Sequence, residues 1–83
     1  MDQEKTSNMN KTISITQRET QILNLIAFEF TINEIANRLF ISHHTVVTHR
    51  KNLMSKLKVK NTAGMIRRAF ELHLLHHSSD QAA

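Results

Sequence analysis

A repeated helix start signal is the feature that most limits what this chain can fold into. Thr16 is followed three residues later by Glu19, and Thr31 is followed in the same way by Glu34. In this arrangement, called a capping box, the threonine and glutamate side chains each accept a hydrogen bond from a backbone N–H at the start of a helix. Apolar residues recur at helical spacing behind both signals. The two predicted helices cover residues 17–28 and 32–39.

The sequence after these two helices also has a helical pattern. Ser42 is a residue type that caps helix N-termini. Behind it, Val46, Leu53 and Leu57 fall on one line at about 100° per residue, which is typical of a buried helix face. The predicted third and fourth helices cover residues 43–57 and, after a basic connection, 62–75.

Glycine and proline usage supports an all-helical chain. Proline is absent and Gly64 is the single glycine, whereas hairpins and strand turns usually draw on both residues. We therefore expect the all-α class, as a compact domain of four helices over residues 14–76. The polar ends, 1–13 and 77–83, lack a periodic apolar pattern, and we predict that they are disordered.

Several classes of protein are excluded by chemistry that the sequence lacks. There is no cysteine, so neither disulfides nor cysteine-ligated zinc can support the small core. His73 and His77 have helical spacing but no nearby cysteine or carboxylate to complete a closed shell, so we expect no metal and no cofactor. No activated nucleophile or glycine-rich phosphate loop suggests an enzyme. Without a signal peptide or an apolar run near the roughly 18 residues of a membrane span, we expect a cytoplasmic protein.

The charge distribution indicates a polyanionic partner. The net charge is +4, and no acidic residue lies between Glu34 and Glu71. A single-signed stretch of this kind is typical of nucleic-acid binding, although a solvated basic face with no partner stays open as an alternative. The four phenylalanines are too few for a base-stacking platform for single strands, and we predict that they belong to the core. They are Phe28, Phe30, Phe40 and Phe70.

The second and third predicted helices, joined by the short turn at Phe40 and Ile41, match the pattern of a helix-turn-helix. On the third helix, His44, Thr48 and Lys51 lie opposite the apolar line. Short side chains and hydrogen-bond donors on such a face can enter the major groove of DNA and reach base edges. The pattern predicts that residues 43–57 form a recognition helix.

The order of the residues closely resembles the LuxR/GerE type of helix-turn-helix domain, found in effector domains of bacterial response regulators and in stand-alone regulators. The matching segments are Ile15-Thr16-Gln17-Arg18-Glu19, Asn33-Glu34-Ile35-Ala36, Ile41-Ser42-His43-His44-Thr45-Val46, His49, Asn52, Lys56-Leu57 and Val59-Lys60-Asn61. The resemblance covers residues 15–75. It implies a four-helix, sequence-specific DNA-binding domain of a transcriptional regulator, with a dimer contact on the fourth helix. A stand-alone regulator and an excised effector domain would look the same.

The helix pattern and the resemblance together assign roles to individual residues. The expected base contacts are His44, Val47, Thr48 and Lys51. The expected phosphate contacts are Thr31, Ser42, Thr45, His49, Arg50, Lys56, Lys58, Lys60 and Asn61. Val47 stands where the family often has lysine, which favours an apolar contact with a thymine methyl group.

Two further departures from the family fall where it usually has glycine. Glu29 follows the first helix at a position where a left-handed backbone would favour glycine, so this turn is either built differently or strained. His73 occupies the second such position, near the end of the fourth helix.

The fourth helix has more apolar surface than a monomer of this size commonly buries. One apolar line holds Met65, Ala69 and Leu72. The second line holds Ile66, Phe70, His73 and Leu74. Together they exceed the stripe of about 100° that a surface helix buries. We predict that the second line forms a weak homodimer contact, strengthened on DNA.

Two functional classes remain after these exclusions. The favoured class is sequence-specific binding to duplex DNA in transcription control, with RNA polymerase as an additional candidate partner. The alternative is a protein-interaction module that sequesters another regulator through the fourth helix. The outward polar line of the third helix favours the first class.

Overall fold

The computed structural model describes residues 13–75, which contain four helices and no strand. The helices are α1 (Gln17–Ala27), α2 (Ile32–Leu39), α3 (His43–Leu57) and α4 (Thr62–Glu71). The predicted all-α class and the order of the four helices are confirmed. None of the helices in this part of the chain is both long and apolar enough to span a membrane.

Each helix begins at a side chain that caps its first turn. Both predicted capping boxes are reciprocal: in the first, Glu19 N donates to Thr16 Oγ1 at 3.0 Å and Thr16 N donates to Glu19 Oε1 at 3.0 Å. Ser42 Oγ accepts from the backbone N–H of Thr45 at 3.0 Å and caps α3. Asn61 Oδ1 accepts from Gly64 N at 2.8 Å and caps α4. Because these caps are local, all four helix starts were predicted correctly.

Each helix is followed by a residue with a left-handed backbone, and none of these residues is glycine. They are Glu29 (φ 69°), Phe40 (φ 59°), Lys58 (φ 58°) and His73 (φ 61°). The turn after α1 therefore keeps the left-handed geometry despite its glutamate, which corresponds to the strained alternative. Helix α4 ends at Glu71 rather than at the predicted residue 75, and α1 ends at Ala27, one residue before the predicted end.

The residue after each left-handed position closes the helix with a backbone hydrogen bond. The donor and acceptor pairs are Phe30 N to Leu25 O (3.0 Å), Ile41 N to Ala36 O (3.0 Å), Val59 N to Met54 O (3.1 Å) and Leu74 N to Ala69 O (2.8 Å). All four donors are apolar residues packed against the core. This is the Schellman arrangement, in which an apolar contact usually accompanies the closing bond.

Helix α3 lies at the centre of the domain and packs against each of the other three helices. Its apolar line, Val46, Leu53 and Leu57, is buried as predicted, at 0–1% exposure. The other fully buried large side chains come from α1, α2 and α4: Ile22, Leu23, Ile35 and Met65.

The assignment of the phenylalanines to the core was wrong for three of the four. Phe40 is 92% exposed, Phe70 67% and Phe28 40%. Phe30 is half-buried, and the Arg38 guanidinium carbon lies 4.7 Å above the centroid of the Phe30 ring. Phe40 is exposed because it occupies the left-handed position of the helix-turn-helix turn, where the backbone directs the next residue, Ile41, onto the core.

Candidate nucleic-acid interface

The exposed face of α3 carries three of the four predicted base contacts. His44, Thr48 and Lys51 are exposed and follow one another at four and three residues, so they lie on one side of the helix. Val47 is half-buried and lies beside this line. Because the opposite side of α3 is in the core, this face is held in a fixed position relative to the rest of the domain.

The start of α3 is tied to α2 across the helix-turn-helix. His43 Nδ1 lies 2.7 Å from Asn33 Oδ1, a contact between the first residue of α3 and the second of α2. Ser42 Oγ also lies 2.8 Å from Thr45 Oγ1. The His43 contact was missed by sequence reasoning, since nothing in the sequence pairs these two positions.

Hydroxyl side chains lie at the N-terminus of α3 and at the N-terminus of α2. The predicted phosphate contacts Ser42 and Thr45 form the cap of α3, and Thr31 forms the cap of α2. Helix N-termini present backbone N–H groups and a partial positive charge, which favour phosphate. These three hydroxyls are thus suited to contact a nucleic-acid backbone.

A basic concave surface of about 300 Å³ lies between the end of α3 and the start of α4. It is lined by Lys58, Val59, Lys60, Asn61, Gly64 and Arg67. The structure therefore brings together three predicted phosphate contacts and adds Arg67, which had no assigned role. The Asn61 amide oxygen is already used in the α4 cap, so its amide nitrogen is the group that can donate to a phosphate.

His49 and Arg50 are half-buried between α3 and its neighbours. Arg50 Nη2 donates to Thr62 Oγ1 at 2.7 Å, which joins α3 to the first residue of α4. His49 Nδ1 is enclosed and has no hydrogen-bond partner among residues 13–75. Both residues therefore contribute to helix packing as well as being candidates for phosphate contact.

Lys56 has protein partners in the structure. Its Nζ donates to Glu19 Oε1 at 2.7 Å and to the backbone oxygen of Ser14 at 2.8 Å. Burial raises the pKa of Glu19, but hydrogen bonds from Lys56 and from the Thr16 backbone, with the positive charge of Lys56, outweigh it and leave this pKa below its usual value. Sequence reasoning placed Glu19 only in a capping box and missed its contact with α3.

The predicted dimer line on α4 is exposed in part. Phe70 and His73 are exposed, whereas Ile66 and Leu74 are half-buried and pack against the core. Beside Phe70, Glu71 accepts from Arg67 at 3.1 Å and from Arg68 at 3.5 Å. The other apolar line supplies the core, through the buried Met65 and Ala69.

Of the histidine pair with helical spacing, His73 lies within the described residues and His77 lies outside them. Among residues 13–75, no three histidine, aspartate or glutamate side chains are grouped as a metal site requires.

A helix-turn-helix with a polar outward face and basic flanks is the architecture of a DNA-binding regulator. Residues 9–69 match the family of bacterial regulatory proteins called the luxR family, and the chain belongs to this family. It is a family of DNA-binding regulators rather than of enzymes.

The chain is similar to several curated bacterial proteins. It is 44% identical over 73 residues to the uncharacterized response regulatory protein YgeK of Escherichia coli, covering 87% of this chain and 50% of that protein. It is 46% identical over 54 residues to a probable csgAB operon transcriptional regulatory protein of Salmonella typhimurium, covering 65% and 25%. The chain thus spans about half or less of these relatives.

A solved structure has a similar fold. The response regulator ChrA, of a heme-sensing two-component system, superposes with a TM-score of 0.71 and is 34% identical. The match covers 74% of this chain and 30% of ChrA.

Proposed function

We propose that this chain regulates transcription by binding duplex DNA sequence-specifically, with α3 in the major groove. The observation that supports this most directly is the exposed line of His44, Thr48 and Lys51 on a helix whose other side is the centre of the core. Because the helix is held in this way, it can present a fixed set of side chains to the major groove.

Base selection is proposed to rest on four residues of α3. Lys51 can donate to guanine O6 and N7, and Thr48 and His44 can contact base edges nearer the start of the helix. Val47, half-buried beside them, suits a thymine methyl group. The preferred site should therefore contain a guanine and a thymine within the base pairs that α3 covers.

Backbone contacts are proposed at both ends of α3. At the helix starts, the Thr31 hydroxyl can donate to a phosphate oxygen, and so can one of the Ser42 and Thr45 hydroxyls, which share a hydrogen bond with each other. At the other end, Lys58, Lys60 and Asn61 line the basic concave surface. His49 and Arg50 can contribute from the side of the helix. Two separated groups of contacts would fix the orientation of α3 on the duplex.

The oligomeric state is part of the same proposal. Phe70, at 67% exposure, is a large apolar side chain on the outer side of α4. We propose that a second copy covers it in a weak dimer, with Ile66, His73 and Leu74 at its margins. A symmetric dimer would present two α3 helices to two half-sites, and DNA would strengthen it by linkage. We also propose that the protein acts in the cytoplasm and that RNA polymerase is an additional partner.

The exposure of Phe70 also favours a second candidate function. A regulator that sequesters another protein through α4 would need the same apolar side chain and would not need Lys51. The two functions are therefore separated by the effect of changes on α3 rather than on α4.

An unbiased selection on random duplex DNA, followed by affinity measurements at several salt concentrations, tests the proposal. We expect one enriched sequence, and log affinity should fall linearly with log salt at a slope of about −0.9 per phosphate contact, with about three to six contacts per protomer. No enrichment together with salt-independent affinity would contradict DNA binding and leave the sequestration function.

Three single-charge variants separate base reading from backbone contact. Lys51→Ala should cost about 1–3 kcal/mol on the best site and relax preference at one base position. Lys58→Ala should weaken all sequences alike and reduce the salt slope by about 1. Arg38→Ala is the matched control, because Arg38 stacks on Phe30, lines a groove with residues of α1 and is not among the proposed contacts, so it should change neither quantity appreciably.

A further inference from the structure

Glu19 is the only buried charged residue within residues 13–75, at 3% exposure. One of its oxygens, Oε1, accepts from two elements at once: from Thr16 N at 3.0 Å, within the capping box of α1, and from Lys56 Nζ on α3 at 2.7 Å. The same ammonium donates to the backbone oxygen of Ser14 at 2.8 Å. We call Glu19, Lys56 and the Ser14 carbonyl the polar node.

In the polar node, the Lys56 ammonium is bound by oxygens of the protein itself. Its ammonium is held by two oxygens, and its side chain is 32% exposed while that of Glu19 is 4% exposed. Moving the ammonium to a DNA phosphate would leave the Glu19 carboxylate buried without its cation, which is strongly unfavourable. Two of its three N–H groups are engaged and Glu19 already balances its charge, so Lys56 is only weakly attracted to an external anion.

The polar node also joins the start of α1 to the end of α3, the helix that is proposed to contact DNA. Ser14 lies in the segment through which the chain approaches α1, and its neighbours Ile13 and Ile15 pack against the core. Lys56 lies in the last turn of α3, five residues after Lys51 and shortly before the basic concave surface. The node therefore fixes the end of α3 against the start of α1.

We infer that Lys56 is a positioning residue for DNA binding, acting through Glu19 and Ser14, and not a phosphate contact. This inference rests on the proposed function. The node holds the last turn of α3 against the start of α1, so that Lys51 meets the bases while Lys58 and Lys60 meet the backbone. Loss of either partner of the ion pair lets the end of α3 shift and weakens contacts made by its neighbours.

Two variants that change the net charge in opposite directions test this inference in the full chain: Glu19→Gln removes a negative charge and Lys56→Met removes a positive one. If Lys56 contacted phosphate, Glu19→Gln would release it and raise affinity, and Lys56→Met would reduce the salt slope by about 0.9. If Lys56 is a positioning residue, both variants should instead lose affinity for the selected site, by about 5- to 30-fold. Both should keep the wild-type salt slope.

The outcomes distinguish this inference from the proposed function. Binding by the wild-type chain with a normal salt slope establishes DNA binding. A reduced slope in Lys56→Met, a gain of affinity in Glu19→Gln, or wild-type affinity in both variants then overturns the positioning role alone. An absence of wild-type binding overturns both.

Folding is monitored by circular dichroism well below the melting temperature. If Glu19→Gln does not fold, Lys56→Met decides the question by its salt slope, because Lys56 is partly exposed and methionine keeps the apolar stem. Lys58→Ala, measured in parallel, provides the slope change expected for a true phosphate contact.

Discussion

The beginnings and the ends of the four helices are built from different interactions. Each beginning is a polar side chain that accepts a hydrogen bond from a backbone N–H three residues later. Each end is a left-handed residue followed by an apolar residue that closes the helix and packs on the core. Beginnings therefore depend on neighbours in sequence, whereas ends depend on the assembled core. Changes at ends should affect the whole fold more than changes at beginnings.

Removing an apolar residue that closes a helix should have the largest effect. Ile41 follows the left-handed Phe40, packs on the core and donates to Ala36 O at 3.0 Å. Ile41→Ala should lower the free energy of unfolding by about 2 kcal/mol, the lower end of the range for Ile→Ala because Ile41 is only half-buried. Urea unfolding measures this change. Ile41→Val, the matched control, should cost about 0.5–1 kcal/mol.

Removing a cap should cost less. Thr31→Ala deletes the hydroxyl that accepts from Glu34 N at 3.1 Å and should lower the free energy of unfolding by about 1 kcal/mol. Ser55→Ala, at an exposed position in the last turn of α3, changes a side chain that caps no helix start, so it provides the control and should be nearly neutral. A larger loss for Thr31→Ala than for Ile41→Ala would reverse the proposed order of beginnings and ends.

Relieving the backbone at an end should stabilise the chain. Phe40 is 92% exposed and has φ 59°, so its ring contributes little packing while its Cβ is strained. Phe40→Gly should raise the free energy of unfolding by about 0.5–1 kcal/mol, because glycine avoids the left-handed penalty but loses more chain entropy on folding. Phe40→Ala removes the same ring but keeps the Cβ. Equal melting temperatures for the two variants would show that the left-handed backbone carries no strain.

The two capping boxes should differ in acid, since only that of α1 includes a buried carboxylate. The lowered pKa of Glu19 stabilises the fold above the ordinary glutamate value, 4.5, and this stabilisation is lost as pH falls through the lowered value. In unfolding measurements between neutral pH and pH 3, Glu19→Gln should flatten the pH dependence. The matched change in the exposed box, Glu34→Gln, should alter it less. Parallel curves for both variants would contradict the role of burial.

The sequence predicts what is local or periodic. The capping residues Thr16 and Thr31 could be recognised from four-residue patterns, and the outward line of α3 followed from the helical period of Val46, Leu53 and Leu57. The end of α4 was predicted wrongly because Leu74 closes the helix by packing on the core, and no glycine marks this end in the sequence.

Contacts between distant residues could not be predicted in the same way. Lys56 and Glu19 are separated by 37 residues, and their pairing depends on how α3 docks against α1. The contact between Arg50 and Thr62 likewise depends on the packing of α3 and α4. The sequence indicated which side chains α3 presents outward, but it did not indicate which of its cations the protein itself engages.

The central position of α3 has a consequence for how DNA binding can be turned off. A helix that supplies Val46, Leu53 and Leu57 to the core and contacts all three other helices cannot melt while its neighbours stay folded. We expect its buried backbone amides to exchange with deuterium only when the whole domain opens. Local disorder of α3 is therefore not available as an off state. Control of this surface has to come from a molecule that covers it, or from preventing the proposed dimer from forming.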